Sequence, residues 1–135
     1  MLKRKAFTLV ELMLVVIIIG VLAAMVVPRL TGRSEEARKG VAKADVELNI
    51  ATALKMYELD NGAFPTTEEG LEALITAPSS AKNWKGPYLE KKPLDPWGNP
   101  YHYKSPGTNR KDYDLYSSGK DATEGNEDDV NNWEK

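Results

Sequence analysis

The sequence contains no cysteine, a single histidine and no surplus of basic charge, and each shortage removes a class of explanation. Without cysteine no disulfide can staple the fold, so a small domain here needs another brace, and a bound metal is the other common one. His102 lies between two tyrosines in an alternating stretch, with no nucleophile and base constellation around it, so a structural or solvent-exposed role outweighs catalysis. A formal net charge of −2 gives no basic field for nucleic acid. Large aliphatics thin out after Pro28, and there is no internal repeat and no tract that must be disordered. The 135 residues leave room for one modest domain beyond that point.

What the chain does have is concentrated at its start. Lys3, Arg4 and Lys5 precede an apolar run that reaches Pro28, and one carboxylate, Glu11, sits inside it. From Phe7 to Pro28 a helix would span about 30 Å, the thickness of a bilayer core. The basic residues ahead of the run place the N-terminus in the cytoplasm and everything after Arg29 outside it. A cleavable secretory signal has similar ingredients, but the run is longer than the usual signal core, and Ala23-Ala24 lies within it rather than after a polar boundary. A retained anchor is the better reading. A charge at the centre of a membrane helix costs on the order of 2.5–3.5 kcal/mol on insertion scales, so Glu11 reads as functional and in need of a partner.

Beyond the anchor, Pro28 and Thr31-Gly32 are expected to interrupt or bend the helix. Helical spacing then resumes between Ser34 and Leu59, with Val46, Ile50, Leu54 and Tyr57 on one stripe. Gly62 is placed to end it. Thr66 and Glu69 have capping-box spacing ahead of a short helix carrying Leu71, Leu74 and Ile75, which should stop before Pro78. From Pro78 to Gly107 proline, glycine and aromatics favour turns, with Trp97 in a turn packed on the helix. Tyr101 to Lys104 and Tyr113 to Ser117 alternate as strands. The economical architecture is α+β, a small antiparallel sheet packed against the long helix.

The segment from Ser117 to Trp133 carries Asp121, Glu124, Glu127, Asp128 and Asp129. One reading is a solvated acidic tail. The other is a calcium loop, since calcium takes six to eight hard oxygens in flexible geometry. The spacing is not that of an EF-hand.

Ala6-Phe7-Thr8-Leu9-Val10-Glu11-Leu12 resembles the processing site of type IV pilin-like proteins. Residues 56–71 and Asp95-Pro-Trp-Gly-Asn-Pro-Tyr101 resemble the major, G-type pseudopilins of type II secretion systems, and the likeness covers nearly the whole chain. The resemblance implies a type IV pilin-like fold with a leader at residues 1–6, a transmembrane and filament-core helix at 7–30, and an exported domain at 31–135. It implies cleavage by a prepilin peptidase between Ala6 and Phe7, where the family usually has Gly before the cut, followed by N-methylation of Phe7. Glu11 would then pair with the new amine of a neighbouring subunit; spacing alone does not distinguish this from pairing within one chain. The implied cofactor is calcium, held by the side chains of Asp121, Asp128 and Asp129 and by carbonyls near Ser118 and Thr123. The implied role is a non-enzymatic subunit of a periplasmic filament anchored in the inner membrane. Its partners would be membrane lipid, further copies of itself, minor pseudopilins and the inner-membrane assembly platform. A type IV pilus subunit and a single-span exported enzyme are the rival readings.

Overall fold

The computed structural model describes residues 5–134, and for residues 27–31 only the backbone. The first four leader residues, with Lys3 and Arg4, lie outside the described residues. The chain divides into two compact units, Met1–Glu36 and Ala37–Lys135. Helix α1 (Leu9–Ala44) supplies the first unit and contributes its last turns to the second. It continues through Pro28, so the expected interruption is not there. Proline's fixed φ of about −65° lies in the helical range, so the backbone can continue through it despite the lost N–H donor.

In the second unit the helical chain passes through a five-residue π-helical segment, Asp45–Asn49, into α2 (Ile50–Asn61). Asp45, in that widened turn, accepts hydrogen bonds from the Tyr101 hydroxyl at 2.8 Å and the Asn49 amide at 2.7 Å. The stripe read from the sequence is the core: Val46, Ile50, Leu54 and Tyr57 are all buried, with Leu71, Leu74, Tyr101 and Leu115 packed against them. Gly62 caps α2 at φ 85, a left-handed conformation that glycine adopts without strain. The Thr66–Glu69 capping box forms, with the Thr66 N–H donating to Glu69 Oε2 at 2.9 Å and the Glu69 N–H to Thr66 Oγ1 at 3.3 Å. The box opens a 3₁₀ turn, Gly70–Leu74, shorter than the expected helix.

Three antiparallel strands form the sheet in the order β1 (His102–Lys104), β2 (Asp114–Ser117) and β3 (Val130–Asn131). Tyr103 pairs with Leu115 across the first ladder, and Ser117 with Val130 across the second. The turn after Pro93 is organised by buried Asp95, whose Oδ1 accepts the N–H groups of Trp97 and Asn99 while its Oδ2 takes the Ser117 hydroxyl at 2.6 Å. That bond fixes the turn to β2.

Asp114, buried at the start of β2, organises the loop before it. It accepts the backbone N–H groups of Thr108, Asn109 and Arg110 and the Asn109 amide. Burial pushes its carboxyl up, but these four donors outweigh that and hold it below the usual carboxylate range. A carboxyl depressed by folding contributes stability that is fully present above the unfolded pKa of about 4 and is lost as pH falls through the folded value. Asp114→Asn is therefore expected to cost about 2–3 kcal/mol at neutral pH and to flatten the acid limb of stability. Urea titrations of the full chain in detergent at several pH values read both effects.

Candidate assembly helix and acidic loop

The N-terminal end of α1 is closed by a second capping box. The Thr8 N–H and Oγ1–H both donate to Glu11 Oε2 at 3.0 Å, and the Glu11 N–H donates to Thr8 Oγ1 at 3.2 Å. Glu11 thus has a partner in its own chain, and as an acid in the first turn it also complements the helix dipole. Sequence reasoning missed Thr8, although its spacing to Glu11 repeats that of Thr66 to Glu69. Phe7, at the expected cleavage point after Ala6, is exposed.

The stretch Leu9–Val26 has a mean hydropathy of 3.0 and is long and apolar enough to cross a membrane. Within the first unit every one of its side chains is exposed. A helix that is apolar on all faces is covered by lipid or by other protein.

In the second unit the acidic loop turns back on itself between β2 and β3. Gly119, at φ 68, lies so close to the Asp128 carbonyl that a Cβ there would stand 2.4 Å from the oxygen. Asp121 accepts the Thr123 N–H at 2.9 Å on one oxygen and the Asn126 amide at 2.9 Å on the other. Asp128 Oδ2 accepts the N–H groups of Lys120 and Asp121, and its Oδ1 lies 3.6 Å from Lys39 Nζ. Burial, the largest single influence, pushes the Asp128 carboxyl up, but these donors and the Lys39 charge together outweigh it and hold the group below the usual range. Asp129 Oδ2 accepts the Gly125 N–H at 2.7 Å, but Asp129 Oδ1 is buried with no partner among the described residues. Ser118 is buried, and Thr123 is exposed.

Among the described residues no three acidic or histidine side chains converge as a ready-made metal cluster. The loop's donors are nonetheless all oxygen, and a buried carboxylate oxygen left unpaired is costly. Oxygens that already accept one N–H keep a second lone pair. The residues therefore fit a hard, oxygen-seeking cation, with Asp129 Oδ1 as the oxygen best placed to serve it.

Further contacts tie this loop to β1 and β2. Glu124 Oε1 lies 3.1 Å from His102 Nδ1, and its Oε2 accepts the Tyr116 hydroxyl at 3.1 Å. Burial, then that carboxylate, push the Tyr116 hydroxyl up to about 12. His102 stacks on Tyr116 at 4.8 Å and reaches the Ser118 hydroxyl at 3.3 Å, so among the described residues its polar contacts tie β1 to the acidic loop. Trp133 packs edge-on against Tyr116.

A capped apolar helix bearing a carboxylate one turn in, joined to a small α+β unit with a long C-terminal loop, defines the type IV pilin-like class of filament subunits. Two family descriptions match the chain: prokaryotic N-terminal methylation motif over residues 1–27, and type II secretion system protein G over residues 29–133. The chain belongs to the type II secretion system protein G family. Type II secretion system core protein G of Pseudomonas aeruginosa is 50% identical over 139 residues, covering 98% of this chain and 96% of that protein. The corresponding protein of Escherichia coli is 47% identical over 135 residues, covering 97% and 92%. The crystal structure of the major pseudopilin from the type 2 secretion system of enterohaemorrhagic Escherichia coli superposes with a TM-score of 0.68 at 36% identity, covering 77% of this chain and 89% of that one.

Proposed function

We propose that this chain is the repeating subunit of a type II secretion pseudopilus, polymerising through its N-terminal helix to drive folded proteins across the outer membrane. The observation that carries this is the helix Leu9–Val26, apolar and exposed on every side. Lipid covers it before assembly, and neighbouring copies cover it afterwards. In this reading the anchor crosses the inner membrane once, with the basic leader in the cytoplasm and the second unit in the periplasm.

Prepilin peptidase cuts between Ala6 and Phe7, and the new Phe7 amine is methylated. A cation then stands one turn from Glu11, and stepping parallel helices along the filament axis brings the amine of one subunit to the carboxylate of the next. Thr8 holds Glu11 until that partner arrives. Minor pseudopilins and the inner-membrane platform supply the site of addition. Repeating one head-to-tail contact yields an open helix rather than a closed ring.

The acidic loop is read as a calcium site, taking the place of the disulfide that a cysteine-free chain cannot form. Bound calcium would supply two positive charges and a demand for six to eight oxygens. Asp121, Asp128 and Asp129 would provide side-chain oxygens, with carbonyls near Ser118 and Thr123, and Asp129 Oδ1 is the support for this assignment.

Deleting the gene and restoring it on a plasmid tests the role. Exported proteins should accumulate, folded, in the periplasm of the null strain and return to the medium on complementation. Normal secretion without the gene would remove the proposal.

A further inference from the structure

Lys39 is the cation that the second unit already brings to the acidic loop. It lies in the last turns of α1, and its Nζ meets Asp128 Oδ1 at 3.6 Å. The other Asp128 oxygen is committed to the N–H groups of Lys120 and Asp121, so Oδ1 is the oxygen turned toward a cation. Beside this pair is a cavity of about 380 Å³ whose walls include Lys39, Lys43, Asp129 and Glu134. Asp129, with its unpartnered buried oxygen, therefore shares that cavity with the lysine. Lys43 is drawn elsewhere, 3.9 Å from Glu47. Among the described residues, Lys39 is thus the helix ammonium in contact with Asp128, next in sequence to Asp129.

We propose that Lys39 is a tethered competitor for the loop's cation, occupying Asp128 when calcium is absent and releasing it when calcium binds. This rests on the reading of the acidic loop as a calcium site. Two cations on one carboxylate oxygen repel, so a divalent ion at Asp128 Oδ1 and the ammonium exclude each other. Lys39 is half-exposed, and a pair of that kind adds little to stability, so the exchange meets only a small barrier in free energy. Calcium binding would accordingly detach α1's lysine from the loop and leave a free positive charge on the helix for contacts with other molecules. The loop and the end of α1 become coupled through one side chain.

The test compares wild type, Lys39→Met and Lys39→Arg as full chains in detergent. Calcium affinity is measured by calorimetry, and thermal melting is followed with calcium and with chelator. Lys39→Met should bind calcium about fivefold more tightly at low salt, with the gain shrinking as salt screens the charge. Its melting temperature should lie below wild type in chelator and coincide with wild type in calcium, while Lys39→Arg should behave as wild type throughout. Unchanged or weaker affinity in Lys39→Met, or an equal loss of melting temperature in both conditions, would overturn the exchange and leave Lys39 as an ordinary brace. A wild type that binds no calcium would remove the calcium reading and this inference together.

Discussion

Glu11→Ala should leave the protein inserted in the membrane and abolish filament assembly and secretion. Insertion is expected to survive because the substitution removes the one charge within the Leu9–Val26 span. Assembly is expected to fail because the Phe7 amine of an incoming subunit would be buried without its counter-charge. Removing one member of a buried ion pair costs about 3–5 kcal/mol, which is roughly two to four orders of magnitude in the affinity of each addition. The capping box complicates this, since Glu11 also closes the helix end through Thr8. Glu11→Gln separates the two roles. Glutamine can complete a capping box but carries no charge. If pairing matters, Glu11→Gln fails to assemble as Glu11→Ala does; if the cap alone matters, it assembles normally. Membrane fractionation and electron microscopy of sheared filaments give the two readouts.

Calcium removal should produce the second large effect. A ligand bound only by the folded state, at 100 times its dissociation constant, stabilises by about 2.7 kcal/mol. For a unit the size of Ala37–Lys135 that corresponds to a melting temperature on the order of 10 °C lower in chelator. Asp129→Asn is the informative substitution. Its side-chain oxygen can still accept the Gly125 N–H, while the unpartnered carboxylate charge is gone. The variant should melt in chelator at or above the wild-type temperature and gain nothing from calcium. A calcium increment equal to that of wild type would remove Asp129 from the site.

These residues also show where the sequence was readable and where it was not. Gly62, the Thr66–Glu69 box and the stripe from Val46 to Tyr57 were legible because each is a local signal at fixed spacing, and the tertiary fold uses it unchanged. Strands β1 and β2 were legible by alternation. Strand β3 was not, because Val130–Asn131 is too short to alternate and depends on its partner Ser117. The π-helical turn at Asp45–Asn49 was equally hidden, since its carboxylate answers to Tyr101, 56 positions away. Pro28 misled in the other direction, because a general rule about proline yielded to the continuity of an apolar helix.

The site divides along the same line. Glu11 stood out through the expense of its charge, and Asp121, Asp128 and Asp129 through their crowding. Thr8 was readable by spacing but overshadowed by Glu11. Lys39 carried no signal at all, since only the folded chain brings it within reach of Asp128.

On the proposed function this chain is processed at its leader and assembled through the end so created. The most direct test is the intact mass of the protein extracted from membranes of its own host. The expected chain begins at Phe7, without Met1 to Ala6, and carries one added methyl group. A chain that retains Met1 and an unmodified leader would contradict it.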